Sequence, residues 1–134
     1  MNFEVLKKNV EQAVRTGLGK FADFSGRSSR PEYWYFMLPV IVLMILASML
    51  DSLLLDGMSV LGLIVALAAL VPTLSAGARR LHDTDRSGWW LLIGLVPFIG
   101  ALGLIYLCCQ PGSPGSNRFG PAPSSATFGA LAQA

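Results

Sequence analysis

The stretch MSVLGLIVALAALVPTLSAG, residues 58–77, contains no Asp, Glu, Lys, Arg or His. Its length suits the hydrocarbon core of a bilayer, which a helix of about 17–25 apolar residues spans at about 1.5 Å per residue. Residues 35–50 and 89–109 also lack charged side chains and histidine. A soluble fold would have to bury all three segments on every side, and 134 residues cannot supply that cover. We therefore predict an all-α integral membrane protein.

The composition agrees with a membrane protein of one domain. The chain is 53% hydrophobic and 13% charged, with a mean hydropathy of +0.56, whereas soluble domains average about 25% charged residues. The first thirty residues lack the apolar core of a signal peptide. We predict a membrane domain over residues 1–121 and, because its end is rich in Pro, Gly and Ser, a flexible tail over residues 122–134. We expect no nucleic-acid partner.

An N-terminal amphipathic helix is predicted over residues 3–20. Its apolar residues recur at steps of three and four, at Phe3, Leu6, Val10, Val14 and Leu18. Such a helix lies either in the membrane interface or against the loops of its own chain. Three transmembrane or re-entrant segments follow, at about residues 34–50, 58–77 and 88–109.

The second apolar segment carries a stripe of small residues. They share one helix face, on which small side chains let transmembrane helices approach closely. The stripe predicts helix packing or self-association through Gly62, Ala66, Ala69, Thr73 and Gly77.

The basic residues predict the orientation. Residues 1–33 hold six Lys or Arg, residues 51–57 none, residues 78–88 three and residues 110–134 one. Because loops rich in Lys and Arg stay in the cytoplasm, the N-terminus is predicted to be cytoplasmic.

Two paths remain open for residues 88–109. Their 22 residues would reach about 33 Å as one helix, long enough for a single crossing, which we favour on length alone. A break at Pro97–Gly100 would instead make a re-entrant hairpin, which needs protein cover because lipid cannot satisfy broken backbone.

The stretch RRLHDTDRSGWW, residues 79–90, holds the single histidine of the chain and faces the entry to the first span across a helical hairpin. Membrane roles account for most of it: cations suit a helix C-terminus, Asp85 or Ser87 can cap a helix, and tryptophans anchor at the interface. Arginines at this interface also suit lipid phosphates. The candidate binding residues are Arg27, Arg30, Glu32, Trp34, Arg79, Arg80, His82, Asp83, Asp85, Ser87 and Asn117.

Other functions receive weaker support. Asp83 to Gly88 resembles the first half of a calcium loop, but Gly94 stands where a bidentate Glu is needed. An enzyme would depend on His82, and no nucleophile motif accompanies it. A small oligomeric transporter or channel subunit lacks ionisable residues within the spans. We expect no metal, cofactor or catalytic residue, and as partners the bilayer, anionic headgroups or a membrane protein, and a second copy of the chain.

Three stretches together resemble a known family. They are FSGRSSRPEYW (24–34), RRLHDTDRSGWW (79–90) followed by PFIG (97–100), and GSNRFGP (115–121). They are similar to the domain of unknown function 805 family of YhaH/YhaI-like bacterial inner-membrane proteins, over about residues 3–121. The positions that match its pattern are Gly26, Arg27, Arg30, Glu32, Trp34, Arg79, Arg80, His82, Asp83, Ser87, Gly88, Trp89, Trp90, Asn117, Gly120 and Pro121.

The resemblance implies a small multi-pass protein of the bacterial inner membrane and no particular activity. Pro31 departs from the residue that such entry motifs often carry, and it suits the first turn of a helix. If Asn117–Pro121 shares a site with Arg27 and His82, the tail must be cytoplasmic and residues 88–109 re-entrant, unless a further crossing exists.

Overall fold

The computed structural model describes residues 2–123, which form five helices and, within that range, no strand. The α-helices are α1 (Phe3–Gly19), α2 (Arg30–Leu54), α3 (Val60–Asp83) and α4 (Ile99–Cys109), and a 3-10 helix, Gly88–Leu95, precedes α4. The expected all-helical fold is confirmed. Most of the expected flexible tail, residues 124–134, lies outside the described residues.

Among residues 2–123, α2 and α3 are the two helices long and apolar enough to cross a membrane, with mean hydropathies of 2.3 and 2.2. The start of α2 is capped as its sequence suggests, because the Ser29 hydroxyl accepts a hydrogen bond from the Glu32 amide at 3.3 Å. Pro31 lies in the first turn, where backbone amides have no helical acceptor, so the lack of an N–H costs no helical hydrogen bond. Helix α2 extends beyond its predicted span at both ends, whereas α3 begins two residues after its predicted span and ends six residues beyond it.

The joint between α2 and α3 is made by Asp51, which is 3% exposed. Its two carboxylate oxygens accept hydrogen bonds of 2.9 Å from the backbone amides of Leu61 and Gly62. These amides belong to the first turn of α3, which has no helical acceptors and lies at the positive end of the helix dipole. A carboxylate at the end of α2 thus holds the start of α3 and closes the helical hairpin.

Helix α1 packs against α2 through small side chains. Ala13 lies in a core with Phe36 and Ala76, and the Phe36 ring fills the space beside Gly17 so closely that a Cβ there would collide with it. The predicted apolar stripe is only partly covered: Phe3 and Leu18 at its ends are 71% and 56% exposed, whereas Leu6, Val10 and Val14 are half-buried.

The third apolar run is not one helix. The 3-10 helix and α4 fold back on each other, since a Cβ on Gly94 would lie 2.8 Å from Leu104 and one on Gly103 would lie 3.2 Å from Ile93. Between them, Phe98 adopts φ 61° and ψ −60°, and the Ile99 amide donates to the Pro97 carbonyl at 2.7 Å, which is a γ-turn. We call residues 88–109 the apolar hairpin.

The prediction of a single crossing depended on one continuous helix over residues 88–109, and the structure shows that this helix is broken. The length argument assumed 1.5 Å for every residue, whereas Pro97 and Phe98 interrupt the helix at its middle. Both ends of the apolar hairpin lie at the C-terminal end of α3: Gly88 lies against Ala78, and the Cys108 carbonyl accepts a hydrogen bond from Arg80.

Candidate functional site

The last turns of α3 carry a set of buried polar residues that, with one residue of the loop before α2, forms the polar cluster. Its members and their exposed fractions are Arg27 (7%), Arg79 (2%), Arg80 (0%), His82 (8%) and Asp83 (4%). Burying one charged side chain costs roughly several kcal/mol of folding free energy unless the charge is paired and hydrogen-bonded. The partners of each residue therefore decide what the cluster does.

Asp83 is the shared anion of the polar cluster. Its Oδ1 lies 2.9 Å from Nη2 of Arg27 and 3.0 Å from Nε of the same guanidinium, so two nitrogens of Arg27 bind one carboxylate oxygen. Its Oδ2 accepts a 2.7 Å bond from Nη1 of Arg80, one helical turn earlier. Arg80 and Asp83 meet because residues three apart lie on the same helix face.

Arg27 also holds the segment after α4. Its guanidinium donates to the carbonyl oxygens of Ser113 and Gly115, each at 2.6 Å, and to that of Gly120 at 3.3 Å. Gly112 touches the Asp83 carboxylate so closely that a side chain there would collide with it. One arginine thus ties the loop before α2, the end of α3 and residues 112–120 together.

Arg80 holds the end of the apolar hairpin. Its Nε donates to the Cys108 carbonyl at 2.9 Å, Nη1 donates to the Ser28 carbonyl at 3.1 Å, and Nη2 donates to the Gln110 carbonyl. The Cys108 and Gln110 carbonyls lie at the C-terminus of α4, where a helical donor is missing, and the Ser28 carbonyl lies in the loop before α2. A cation at this position therefore satisfies the C-terminus of α4 as well as Asp83.

Arg79 and Ser75 fasten the connection between α1 and α2. Arg79 Nη1 donates to the carbonyl oxygens of Lys20 at 2.8 Å and Asp23 at 2.7 Å, and Ser75 donates to that of Phe21 at 2.8 Å. Hydrogen bonds from the Ser25 hydroxyl and amide lower the pKa of the exposed Asp23 carboxyl below its usual value.

His82 joins the polar cluster to the C-terminal segment. Its Nδ1 lies 3.0 Å from the Gly26 carbonyl oxygen, and its ring stacks on Phe119 with the centroids 4.0 Å apart. Asn117 donates from Nδ2 to the His82 carbonyl at 2.9 Å. The entry, loop and tail motifs, which are far apart in the sequence, therefore meet at one site.

The other candidate binding residues lie at the edge of the polar cluster or outside it. Arg30 is exposed and donates one long hydrogen bond, 3.3 Å, to the Cys109 carbonyl. Trp34 packs edge-on against Tyr33. Ser87 caps the 3-10 helix, as expected, and Asp85 forms an exposed ion pair with Arg118 at 3.3 Å. Glu32 lies half-buried at the start of α2.

The stripe of small residues on α3 makes several contacts within the chain. Gly77 is buried, and a Cβ there would lie 3.0 Å from Leu91; at Gly62 it would lie 3.4 Å from Asp51. Ala69 faces a groove shared with α2, whereas Ala66 is exposed. Thr73 donates to the Ala69 carbonyl of its own helix at 2.7 Å.

Sequence reasoning missed several residues that hold this site. The sequence does not single out Ser28, Ser75 and Phe119 as contacts, and it places Asp51 in a loop. Asp51 lies within α2, nine residues before α3 begins, so no N-cap spacing marks it. The carbonyl acceptors of Arg27 and Arg80 carry no sequence signal, because every residue has such a group.

The comparisons with known proteins agree on one family. A family model described as Protein of unknown function (DUF805) matches residues 21–121. Inner membrane protein YhaH of Escherichia coli (strain K12) is 44% identical over 110 residues, covering 79% of this chain and 91% of YhaH. Inner membrane protein YhaI of the same strain is 42% identical over 106 residues, covering 79% and 90%. No solved structure matches significantly.

Proposed function

Since the chain belongs to the DUF805 family of proteins of unknown function, we propose that it is a small, non-enzymatic protein of the bacterial inner membrane whose cytoplasmic face binds anionic lipid headgroups through Arg30. Its matched relatives YhaH and YhaI are inner membrane proteins. The Arg30 guanidinium, which stands exposed above an apolar groove, is the observation that carries the proposal.

The surface of α2 and α3 supports immersion in a bilayer. Large apolar side chains are exposed along both helices, among them Leu43 (53%), Ile45 (54%), Leu63 (57%) and Leu67 (63%). Soluble monomers rarely expose contiguous apolar patches of more than a few hundred Å². In a bilayer, lipid tails would cover these side chains and keep them out of water.

The basic residues support two crossings and a re-entrant apolar hairpin. In this arrangement α2 and α3 cross, and both ends of the apolar hairpin return to the cytoplasmic side beside the polar cluster. At its turn, the amides of Ile99 and Gly100 donate to the Pro97 and Val96 carbonyls, so these groups find partners without water. All ten Lys and Arg residues then belong to cytoplasmic segments, and the connection between α2 and α3 has none. A single crossing would instead export Arg118 against the positive-inside tendency.

Arg30 is the arginine of the entry motif whose donors remain available to a ligand. Arg27 donates to Asp83 and to three carbonyls, so each nitrogen of its guanidinium already has an acceptor. Arg30, in contrast, donates one hydrogen bond of 3.3 Å. The guanidinium fork matches the oxygens of a phosphate in two parallel hydrogen bonds. The buried arginines hold the fold, and Arg30 is left to bind.

The groove below Arg30 suits an acyl chain. It has a volume of about 490 Å³ and is lined by Arg30, Pro31, Trp34, Tyr35, Leu38 and Ile41. Its cationic end lies at the start of α2, and its apolar wall follows α2 into the proposed bilayer. A phospholipid has the same order of groups, with an anionic phosphate followed by a hydrocarbon chain.

The test is quenching of Trp34 fluorescence by brominated phospholipids in nanodiscs, with Trp89 and Trp90 replaced by Phe. We expect brominated phosphatidylglycerol to quench Trp34 at lower mole fractions than brominated phosphatidylcholine. Arg30→Gln should reduce this preference about fivefold, because one arginine near an anionic surface contributes about 1 kcal/mol.

Arg86→Gln is the matched control, since it removes the same charge from the same side without touching the groove. It should keep the preference for phosphatidylglycerol. An equal preference in Arg30→Gln and the unchanged chain, or no preference in either, would show that Arg30 is not a headgroup site.

A further inference from the structure

A second groove lies between α3 and the 3-10 helix, on a different face from Arg30. It has a volume of about 430 Å³, within the range of small-molecule sites. We call it the His82 groove; its walls include Phe24, Leu74, Ala78, Trp89 and Leu92. Apart from His82 and Ser87, these walls are apolar, and among the described residues no charged side chain lines them.

One ring nitrogen of His82 faces this groove. The residue is 92% buried, since its exposed fraction is 8%, and Nδ1 is held by the Gly26 carbonyl at 3.0 Å. Nε2 has no hydrogen-bond partner within residues 2–123. Gly88 leaves space beside Nε2, because a Cβ there would lie in contact with this nitrogen at 3.5 Å. A ring nitrogen of a largely buried residue therefore lies accessible at the groove without a partner.

The hydrogen bond at Nδ1 decides what Nε2 can bind. A carbonyl oxygen only accepts, so the shared proton lies on Nδ1, and in the neutral ring Nε2 keeps the lone pair. Nε2 then accepts a hydrogen bond, and its ligand must donate one. The hydroxyl of Ser87 already accepts from the Trp89 amide at 3.3 Å, which fixes its position at the same end of the groove.

The lack of a lining cation decides the charge of the ligand. A carboxylate or phosphate in an apolar groove would need a compensating positive group, and burying it unpaired costs more than a neutral hydroxyl. We propose that the His82 groove binds an uncharged single-chain lipid of the monoacylglycerol class, whose hydroxyl donates to Nε2 while its chain lies along Leu74 and Leu92. This site is independent of Arg30 and goes beyond the proposed headgroup binding.

The experiment uses the full chain in nanodiscs with Trp34 and Trp90 replaced by Phe, so that Trp89 on the groove wall is the reporter. The probe is a monoacylglycerol with a brominated acyl chain. We expect saturable quenching at mole fractions where brominated phosphatidylcholine quenches weakly. The methyl ether of the same probe, which cannot donate through its blocked hydroxyls, should bind about fivefold more weakly, the factor that one neutral hydrogen bond contributes.

Two His82 variants separate recognition from folding. His82→Asn keeps a donor near the Gly26 carbonyl and removes Nε2, so it should lose the difference between the two probes. His82→Gln keeps a polar group near the Nε2 position and should retain part of that difference. The ether comparison on unchanged His82 tests the proposal even where a variant fails to fold.

Three results would overturn the proposal. The first is equal binding of the monoacylglycerol and its methyl ether to the chain with His82. The second is tighter binding of the brominated fatty acid anion than of the monoacylglycerol. The third is quenching of Trp89 that does not saturate and matches brominated phosphatidylcholine. None of these results depends on Arg30, so the two lipid sites stand or fall separately.

Discussion

Arg27 makes more connections than any single charge pair requires, because its guanidinium reaches Asp83 and the carbonyls of three residues in the C-terminal segment. A surface ion pair contributes at most about 1 kcal/mol. Arg27 and Asp83 are instead buried, with side chains 1% and 6% exposed. Breaking a buried pair by changing one partner costs about 3–5 kcal/mol, because the other charge is left without compensation.

Arg27→Lys should destabilise the protein by about 3 kcal/mol although it preserves the charge, because hydrogen bonds from the charged guanidinium, which contribute about 1.5–3 kcal/mol each, are lost. One ammonium cannot reproduce the planar fork that reaches Asp83, Ser113 and Gly115 at once. The measurement is the free energy of unfolding in mild detergent. Arg15→Lys is the control, since Arg15 forms an exposed pair with Glu11. Equal stability of the two variants would contradict the role of Arg27.

At the residue scale, the sequence predicted which side chains meet but not what they do. Arg27, His82, Asp83 and Asn117 were placed at one candidate site, and the structure brings them together. Arg80 was assigned to a helix C-terminus, yet it serves the end of α4 as well as its own helix. Long-range carbonyl contacts of this kind depend on the path of the chain and not on residue type.

At the scale of elements, the apolar hairpin is the largest difference from the expected fold. Pro97 and Gly100 were recognised as possible breaks, but length favoured one crossing. The structure shows why the break is tolerated: the two arms pack on each other, and Gly100 lies so close to the Ile93 carbonyl that no side chain fits between them. Periodicity cannot reveal this contact, because both arms are apolar on all sides.

Gly100→Ala should open the apolar hairpin, because its Cβ would collide with the Ile93 backbone, which cannot move aside as a side chain can. We expect a loss of about 2 kcal/mol or more in the free energy of unfolding, at the upper end for overpacking. Gly103→Ala is the matched control on α4, since its Cβ would meet only the flexible end of Ile93 at 3.2 Å. Indistinguishable melting curves would count against the hairpin.

At the scale of the whole molecule, the family predicted from three motifs is confirmed, and the resemblance extends over most of the chain. The helical fold and two apolar helices of sufficient length also follow from the sequence. The path of the chain after α3 does not follow from the sequence, because it depends on whether the motif at residues 115–121 docks at the polar cluster. In the structure the tail motif does so, through Asn117, Phe119 and Gly120.

Docking of residues 112–120 at the polar cluster, on the side of the N-terminus, is the central claim, and a topology reporter after Ala134 tests it most directly. We predict that a green fluorescent protein fusion at this position fluoresces and that an alkaline phosphatase fusion is inactive, because both ends of the apolar hairpin lie beside Arg80. A phosphatase fusion after Asp56, in the connection without Lys or Arg, should be active and serves as the positive control. An active phosphatase after Ala134 with a dark fluorescent fusion would place the tail across the membrane and contradict the account.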